Sequence, residues 1–366
     1  MPSLAELMQP HAVNAVISRL RVNNQSLQKA LGMEPGGTNV KVCPTGRRMM
    51  YDVFDETREV AEARLPNAPA ATIPRQPIGS VSVMIPRLAE KMPLLLDDLA
   101  NMRPAGGPVD QVDDNGERHI AMQQQIVKQR VTNFREFTCA AMLRGSYTYT
   151  LTKEALIHGF TGGAITVDFQ VPAANKSQLN MLAAGDIIGT AWDNPAAPIV
   201  RDLLAIKRAL TQLTGRGLRH VYLTSIGWGF VVTNQEVQSL AGSVNNPVKE
   251  YRYDDETQEF VATINALPWV TFHITDNGVN LNGTFTTLIG DDAAAFTTEL
   301  TPEVATYTEA KETVIDWVGR PPVERQGSYY WAKPNDDPAK YELRSIHNGL
   351  PSLQIPKAVC YATIDF

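Results

Sequence analysis

A single uninterrupted helical segment limits the folds open to this chain. Residues 117–143 read ERHIAMQQQIVKQRVTNFREFTCAAML, with no glycine or proline. Asp113, Asp114 and Asn115 precede this segment as candidate capping residues, and Gly145 follows it as a stop signal. At ~1.5 Å per residue such a helix spans about 40 Å, well above the usual length in globular proteins. We therefore predict a spine helix on which other elements are arranged.

The predicted helix carries one apolar stripe. Its apolar residues recur at spacings of three, four and seven, as expected for one face of an α-helix. They are Ile120, Val127, Val131, Phe134, Phe137 and Ala141. Strand-like segments follow at 145–152 and 164–171, and we expect Phe134 and Phe137 to face the sheet that they form. This prediction places Gln124 on the solvent side.

A proline-bounded apolar ribbon lies between residues 66 and 93. Prolines at positions 66, 69, 74, 77 and 86 exclude a central strand and favour an edge strand or an extended ribbon. Its apolar residues are Ile78, Val81, Val83 and Ile85. A two-stranded hairpin is marginal in isolation, so this apolar side needs cover. Either a neighbouring subunit or the protein's own domain could supply that cover.

The N-terminal segment is predicted to be a basic arm. Residues 4–20 and 26–33 show two short helical patterns, interrupted at Pro10 and followed by the breaker EPGGT at 34–38. Neither is long enough to be stable alone, so the segment must lie on its own body or on a neighbouring chain. Residues 1–50 hold six Lys or Arg against two acids, a charge of +4, so the rest carries -10. A solvated basic arm is favoured over a weak face toward a polyanion.

The sequence pattern of the rest of the chain predicts an α/β region, followed by a region of β-strands. Residues 198–213 and 228–240 are helical in pattern and flank a buried strand at 220–225, and short strands dominate afterwards. The fold class is therefore α+β. No apolar run could span a bilayer and the N-terminus lacks signal-peptide features, so we expect a cytosolic origin.

The sequence carries no recognisable catalytic or ligand-binding motif. The three cysteines are far apart and lack CxxC spacing, and the six histidines are scattered. GFTGGA at 159–164 lacks the Lys-Ser/Thr of a P-loop, and GDD at 290–292 is typical of an acidic turn. We predict no catalytic, cofactor-binding or metal-binding residues and no cofactor. The net charge of -6 argues against tight nucleic-acid binding.

The order of these elements resembles the major capsid proteins of tailed bacteriophages with the Hong Kong 97-like fold, in particular the lambda-type capsid protein E family. The resemblance lies in residues 51–95, 118–150 and 342–364, where the family's Pro-x-Ala-Val step is matched by Pro356–Val359. It implies the following regions: an N-arm at 1–50, an entering strand and E-loop at 51–100, a P-domain at 101–180 with spine helix 117–143, an A-domain at 181–300, a return to the P-domain at 301–356 and a closing A-domain strand at 357–366.

The resemblance also implies a function. It predicts a structural protein, not an enzyme, that self-assembles into hexamers and pentamers of an icosahedral phage head around double-stranded DNA. The ribbon residues Ile78, Val81, Val83 and Ile85 would contact a neighbouring subunit, and Ile120, Val127, Val131, Phe134 and Phe137 would form the spine-helix core. The chain lacks a long scaffolding segment, so a separate scaffolding protein is implied, with a portal and, as an optional partner, a decoration protein. DNA contact would be weak and non-specific, with no membrane contact; the protein would assemble in the host cytoplasm and reside in the virion.

Three alternatives remain open from the sequence. An encapsulin-like compartment shell would share the fold. A phage tail or adhesin component would account for the Thr-rich strands, and an α/β enzyme could be built on residues 198–240.

Overall fold

The computed structural model describes most of the chain. The described ranges are 3–23, 25–44, 46–54, 79–95, 114–150, 164–183, 185–240, 246–255, 259–281, 283–316, 320–336 and 339–366. Ile78, one of the predicted ribbon contacts, lies outside these residues. Among the described helices, none is long and apolar enough to cross a membrane.

The described elements include seven α-helices and twenty β-strands, together with 3₁₀ helices at Ala173–Asn175 and Pro356–Ala358. The helices are α1 Leu4–Leu7, α2 Pro10–Arg19, α3 Ser26–Ala30, α4 Asp114–Arg144, α5 Ile199–Thr214, α6 Ser225–Thr233 and α7 Gln235–Ser239. The strands are β1 Val40–Val42, β2 Arg48–Val53, β3 Gly79–Met84, β4 Arg87–Leu95, β5 Ser146–Thr150, β6 Ala164–Asp168, β7 Lys176–Ser177, β8 His220–Leu223, β9 Val248–Asp254, β10 Glu259–Ile264, β11 Leu267–Ile274, β12 Gly278–Leu281, β13 Thr284–Thr287, β14 Ala293–Thr297, β15 Ala305–Glu309, β16 Lys311–Val314, β17 Val323–Gln326, β18 Ser328–Asp336, β19 Ala339–Leu353 and β20 Val359–Thr363.

The predicted spine helix is α4. It begins at Asp114 and ends at Arg144, so it includes the whole predicted range. Asp114 and Glu117 in the first turn and Arg144 in the last turn complement the helix dipole. Gly145 then adopts a positive φ of 91°, and its N–H donates to the carbonyl of Ala141, which closes the helix.

The N-terminal helices lie against α4. Ser3 and Glu6 form a capping box on α1, and Pro10 is the first residue of α2, where its missing N–H costs nothing. Apolar residues of α1 and α2 share a buried cluster with α4, β4, β18 and β19. The members of this cluster are Leu4, Met8, Val13, Ile17, Leu94, Ile120, Val127, Val131, Tyr330, Ala332 and Leu343.

Two sheets organise the rest of the described chain. One is seven-stranded, in the order β7-β20-β14-β8-β11-β10-β9, and packs with α5 and α6 around a large apolar core. The other contains β1-β15-β19-β18, with β4 also paired to β19. The fifteen-residue β19 spans this second sheet, because its first part pairs with β18 and β4 and its last part with β15.

Within residues 220–240, two predicted elements differ from the structure. The helix expected at 228–240 is two helices, because Asn234 has an extended backbone, with ψ at 134°, and caps α7 through the N–H of Val237. Its side-chain amide also donates to the carbonyl of Ala197 at 2.8 Å, which fixes the break. The strand expected at 220–225 ends at Leu223, since Ser225 already begins α6.

Candidate functional site

The apolar residues of α4 face two different partners. Ile120, Val127 and Val131 are buried in the cluster with α1 and α2. Phe134 and Phe137 are half-buried, and both meet the Tyr147 ring of β5 edge-on, with centroid distances of 6.1 and 5.7 Å. The stripe therefore joins the N-terminal helices to the β5–β6 hairpin.

The prediction for Gln124 was wrong. Gln124 is only 2% exposed, so it does not lie on a solvent-facing side of α4. The physical reason is that α4 is covered from several directions, by α2 and α3 as well as by β4, β5 and β19. A helix packed on several sides also buries polar residues that a one-face pattern leaves to solvent.

Two consecutive residues of α4 fasten the N-terminal segment. The buried guanidinium of Arg135 donates to the Glu309 carboxylate and to the carbonyl of Met33, both at 2.6 Å. The Glu136 carboxylate accepts the N–H groups of Leu27 and Gln28 at 3.1 and 3.2 Å. Complete burial raises the pKa of Glu136 well above its ordinary value. These contacts hold α3 and the following turn on the spine helix.

A buried histidine links three strands. Its ring nitrogens meet the hydroxyls of Tyr307 on β15 and Ser328 on β18, both at 2.8 Å, while His347 itself lies on β19. Burial and the nearby charge of Arg135 hold the pKa of His347 well below its ordinary value. A neutral imidazole enclosed in this way cross-links strands and does not exchange protons with a substrate.

A second histidine cluster is also neutral. Nδ1 of His220 lies 3.1 Å from Nε2 of His273, and Nδ1 of His273 lies 3.8 Å from the Glu259 carboxylate. Burial lowers the pKa of His273 to about 3 and raises that of Glu259 to about 7, so this contact is not an ion pair. Within the described residues, no group of three or more His, Cys, Asp or Glu side chains is placed to hold a metal ion.

The described apolar residues of the ribbon lie on β3 or directly after it, and β3 pairs antiparallel with β2. From here the ribbon means this strand pair, which has two different faces. Val81 and Val83 are half-buried and pack with Met49 and Tyr51 on the protein's own core. Ile85 is only 1% exposed and lies in the same buried cluster, and its contact with a neighbouring subunit stays a prediction. The register places Val81 and Val83 beside Tyr51 and Met49 on one face, and this face packs on buried residues of the protein's own core. Contact of Val81 and Val83 with a neighbouring subunit stays a prediction.

The opposite face of the ribbon carries two exposed methionines. Met50 and Met84 are 64% and 57% exposed, and Arg48 and Ser82 lie on the same face, joined by a 2.9 Å hydrogen bond. This surface was not predicted, because the alternation of apolar residues indicates only one face of the ribbon. The signal was the uninterrupted run Val83, Met84 and Ile85, which is apolar on both faces.

A second exposed apolar surface lies at the edge of the seven-stranded sheet. Tyr251 and Tyr253 of β9 and Phe260 of β10 are all exposed, and Tyr251 stacks on Phe260 at 5.0 Å with an interplanar angle of 9°. Tyr251 also stacks on Trp228 of α6, which in turn contacts the buried Phe272. We call Tyr251, Tyr253 and Phe260 the aromatic edge. Among the described strands, β9 has a partner on one side only.

The comparisons with known proteins assign the family. The family model for phage major capsid protein E matches residues 38–364. The chain belongs to this family. Among curated proteins, none matches the sequence significantly.

Solved structures agree with the family. A prophage protein of Escherichia coli CFT073, described as a capsid protein, is 11% identical with a TM-score of 0.58, and the match covers 97% of this chain and 99% of that one. A phage-related protein from Bordetella bronchiseptica RB50 is also 11% identical, with a TM-score of 0.52 and coverage of 98% and 97%. These likenesses show the fold, which is the Hong Kong 97-like α+β fold predicted from the sequence.

Family membership decides between the functional alternatives. Phage major capsid protein E is a structural protein of the phage virion that assembles with copies of itself into a capsid shell, and it is not an enzyme. The prediction of a major capsid protein is therefore confirmed, in preference to the tail protein, adhesin and enzyme. For such a protein, the functional sites are the surfaces that its copies share.

Proposed function

We propose that this capsid protein forms hexamers and pentamers that close into an icosahedral head around double-stranded DNA. Assembly would take place in the host cytoplasm with a separate scaffolding protein and a portal, and with a decoration protein as an optional partner. In this proposal residues 1–50 are the N-arm, 51–100 the entering strand and E-loop, 101–180 and 301–356 the P-domain, and 181–300 with 357–366 the A-domain.

The observation that carries the proposal is the aromatic edge. Three exposed aromatic rings lie side by side at the outer strand pair of the seven-stranded sheet, within the proposed A-domain. Exposed aromatic clusters are enriched at protein interfaces, because large rigid rings bury much apolar surface at low cost in conformational entropy. Among the described strands β9 pairs on one side only, and the outer side of such a strand offers backbone donors and acceptors to a partner. This surface therefore suits contact between A-domains around an axis of a capsomer.

The stack of rings makes the edge rigid before any partner arrives. Trp228 is almost buried and contacts Phe272 in the core, and Tyr251 stacks on Trp228 at 6.3 Å with an angle of 12°. Phe260 then stacks on Tyr251, so the aromatic edge is anchored to the interior of its own domain. A surface held in place loses little side-chain freedom on binding, which favours association.

The test compares one charged substitution with a matched control. Tyr251→Lys places a cation in the centre of the aromatic edge, whereas Phe366→Lys makes a similar change at another exposed aromatic residue. Light scattering and negative-stain imaging of the full chain should show rings or shells for the unchanged protein and for Phe366→Lys. Tyr251→Lys should remain folded by circular dichroism and assemble at least about tenfold less, as expected for a central interface residue. An unchanged protein that stays monomeric would refute the proposed function. If Tyr251→Lys forms normal shells, the aromatic edge is not a contact between subunits.

A further inference from the structure

Glu312 connects both ends of the ribbon to the body of the protein. Its side chain is 9% exposed and lies on β16. One carboxylate oxygen, Oε1, lies 3.1 Å from Nη2 of Arg47 and 2.7 Å from Nε of Arg87. The other oxygen, Oε2, accepts a hydrogen bond from the side-chain amide of Asn348 at 2.6 Å. One carboxylate therefore binds three side chains from three segments.

The three partners of Glu312 lie at the base of the ribbon. Arg47 directly precedes β2, the first strand of the ribbon, and Arg87 begins β4, just after the second strand has ended at Met84. Asn348 lies directly opposite Arg87 in the β4–β19 register. Glu312 therefore lies where the ribbon joins the sheet that contains β4 and β19. The N–H of Ile85 donates to the carbonyl of Arg47 at 2.8 Å and closes the ribbon at the same place.

We propose that Glu312 is a positioning residue for assembly, which fixes the direction in which the ribbon leaves the body. The proposal has two steps. The first is that Glu312 fixes the direction of the ribbon within the single chain. The second, that the ribbon must point correctly to reach a neighbouring subunit, rests on the proposed function. Arg47 and Arg87 would repel each other at the ribbon base without a shared anion, and Glu312 supplies that anion.

The apolar face of the ribbon does not by itself set this direction. Met49, Tyr51, Val81 and Val83 pack on the core, but apolar contacts are not directional and tolerate small rotations. Charge-assisted hydrogen bonds have defined geometry and are stronger than neutral ones. An isolated surface ion pair contributes little, yet this carboxylate is largely shielded from solvent and is shared by two guanidinium groups and an amide.

Glu312→Gln tests the proposal with little change in shape. Glu324→Gln is the matched control, because Glu324 lies on the paired strand β17 and forms an exposed ion pair with Lys311 at 3.1 Å. Hydrogen–deuterium exchange of the unassembled full chain should show amides of residues 46–53 and 79–87 exchanging about tenfold faster in Glu312→Gln, as expected when charge-assisted hydrogen bonds are lost. The control should exchange like the unchanged protein, and the melting temperatures of all three should agree within about 2 °C.

Salt provides a second readout. Arg47 and Arg87 are 39% and 45% exposed, so about 1 M salt should weaken their attraction to Glu312. Exchange at the ribbon base of the unchanged protein should then approach that of Glu312→Gln, and exchange in the variant should stay constant. A general loss of stability in Glu312→Gln would not produce this difference in salt dependence between the variant and the unchanged protein.

Electron microscopy tests the step to assembly. Glu312→Gln should give fewer closed shells and more irregular aggregates than Glu324→Gln. Unchanged exchange at the ribbon base would overturn the positioning role within the chain, and faster exchange with normal shells would overturn its role in assembly. Failure of the unchanged protein to assemble would instead refute the proposed function. The exchange result would then still show whether Glu312 fixes the ribbon within the single chain.

Discussion

Arg135 keeps its charge in the core because several groups surround its guanidinium. Burial alone would lower the pKa of Arg135, but Tyr307 and Glu309 outweigh burial, and the pKa is raised. The guanidinium carbon lies 4.1 Å from the centre of the Tyr307 ring, and Glu309 and the Met33 carbonyl accept its hydrogen bonds. Loss of any one partner would leave a buried charge incompletely compensated, which is costly.

The packing of Phe134 leads to a prediction at the residue scale. Its ring contacts the Tyr147 ring at 6.1 Å and the His347 ring at 6.0 Å, and the side chain is half-buried. A fully buried Phe→Ala change costs about 3–5 kcal/mol, so Phe134→Ala should cost about 2 kcal/mol. Met122→Ala is the control, because Met122 is exposed on the same helix and should change stability by less than about 0.5 kcal/mol.

Thermal melting of the unassembled subunit measures the difference. Phe134→Ala should lower the melting temperature by several degrees, whereas Met122→Ala should leave it almost unchanged. Equal melting temperatures for the two variants would show that the ring contributes little to the packing between α4 and β5.

The apolar stripe of α4 could be predicted from the sequence, but its polar contacts could not. Spacing alone identifies Phe134 as a member of one helical face. Arg135, however, binds residues 102 and 174 positions away in sequence, and such pairings depend on the complete fold. Gln124 was assigned to solvent for the same reason, since the elements that cover α4 are distant in sequence.

At the scale of elements, the two-faced ribbon changes the expectation for its valines. If Val83 only contacted a neighbouring subunit, Val83→Asp would affect assembly alone, but Val83 packs on the protein's own core beside Met49. A carboxylate placed there loses solvation, so this change should lower stability by about 2 kcal/mol or more. Met84 is the next residue and points to the exposed face.

Val83→Asp and Met84→Asp therefore form a matched pair. Met84→Asp should keep the melting temperature of the unchanged protein and reduce shell formation, because the exposed methionines are free to contact a neighbouring subunit. Sedimentation and thermal melting distinguish the two variants. If Val83→Asp keeps its stability and fails to assemble while Met84→Asp forms normal shells, then the valine face is the contact.

The existence of most elements could be predicted, but their arrangement could not. Uninterrupted helical spacing is a local property of the sequence. The predicted ends of α4 and α5 therefore lie within a few residues of the ends in the structure. The break at Asn234 depends on a hydrogen bond to the carbonyl of Ala197, a residue in a different segment. Likewise, the order of the seven-stranded sheet places β20 beside β14 and β7, a pairing that no local pattern contains.

The charge of the whole molecule bears on the proposed contact between the shell and DNA. The chain carries -6 overall, and its excess of basic residues lies within residues 1–50. Several of these residues already have partners in their own chain, since Arg47 binds Glu312, Arg48 donates to the Ser82 hydroxyl and Lys41 donates to the carbonyl of Pro302. Arg19 and Arg21 remain exposed. The basic segment is therefore a small patch and not a continuous binding face.

From this distribution we expect weak, salt-sensitive DNA binding. Phosphate contacts release counterions, so affinity falls as salt rises, and a few exposed cations give only non-specific dissociation constants of about 10⁻⁴–10⁻⁶ M. Filter binding of unassembled subunits to duplexes of different sequence should give one weak affinity at physiological salt. Replacing Arg19 and Arg21 with Gln should reduce the slope of log affinity against log salt by about 2, or about one per phosphate contact. The same change at the exposed Arg201 and Arg208 of α5 should leave the slope unaltered, and sequence-specific binding that resists salt would contradict this account.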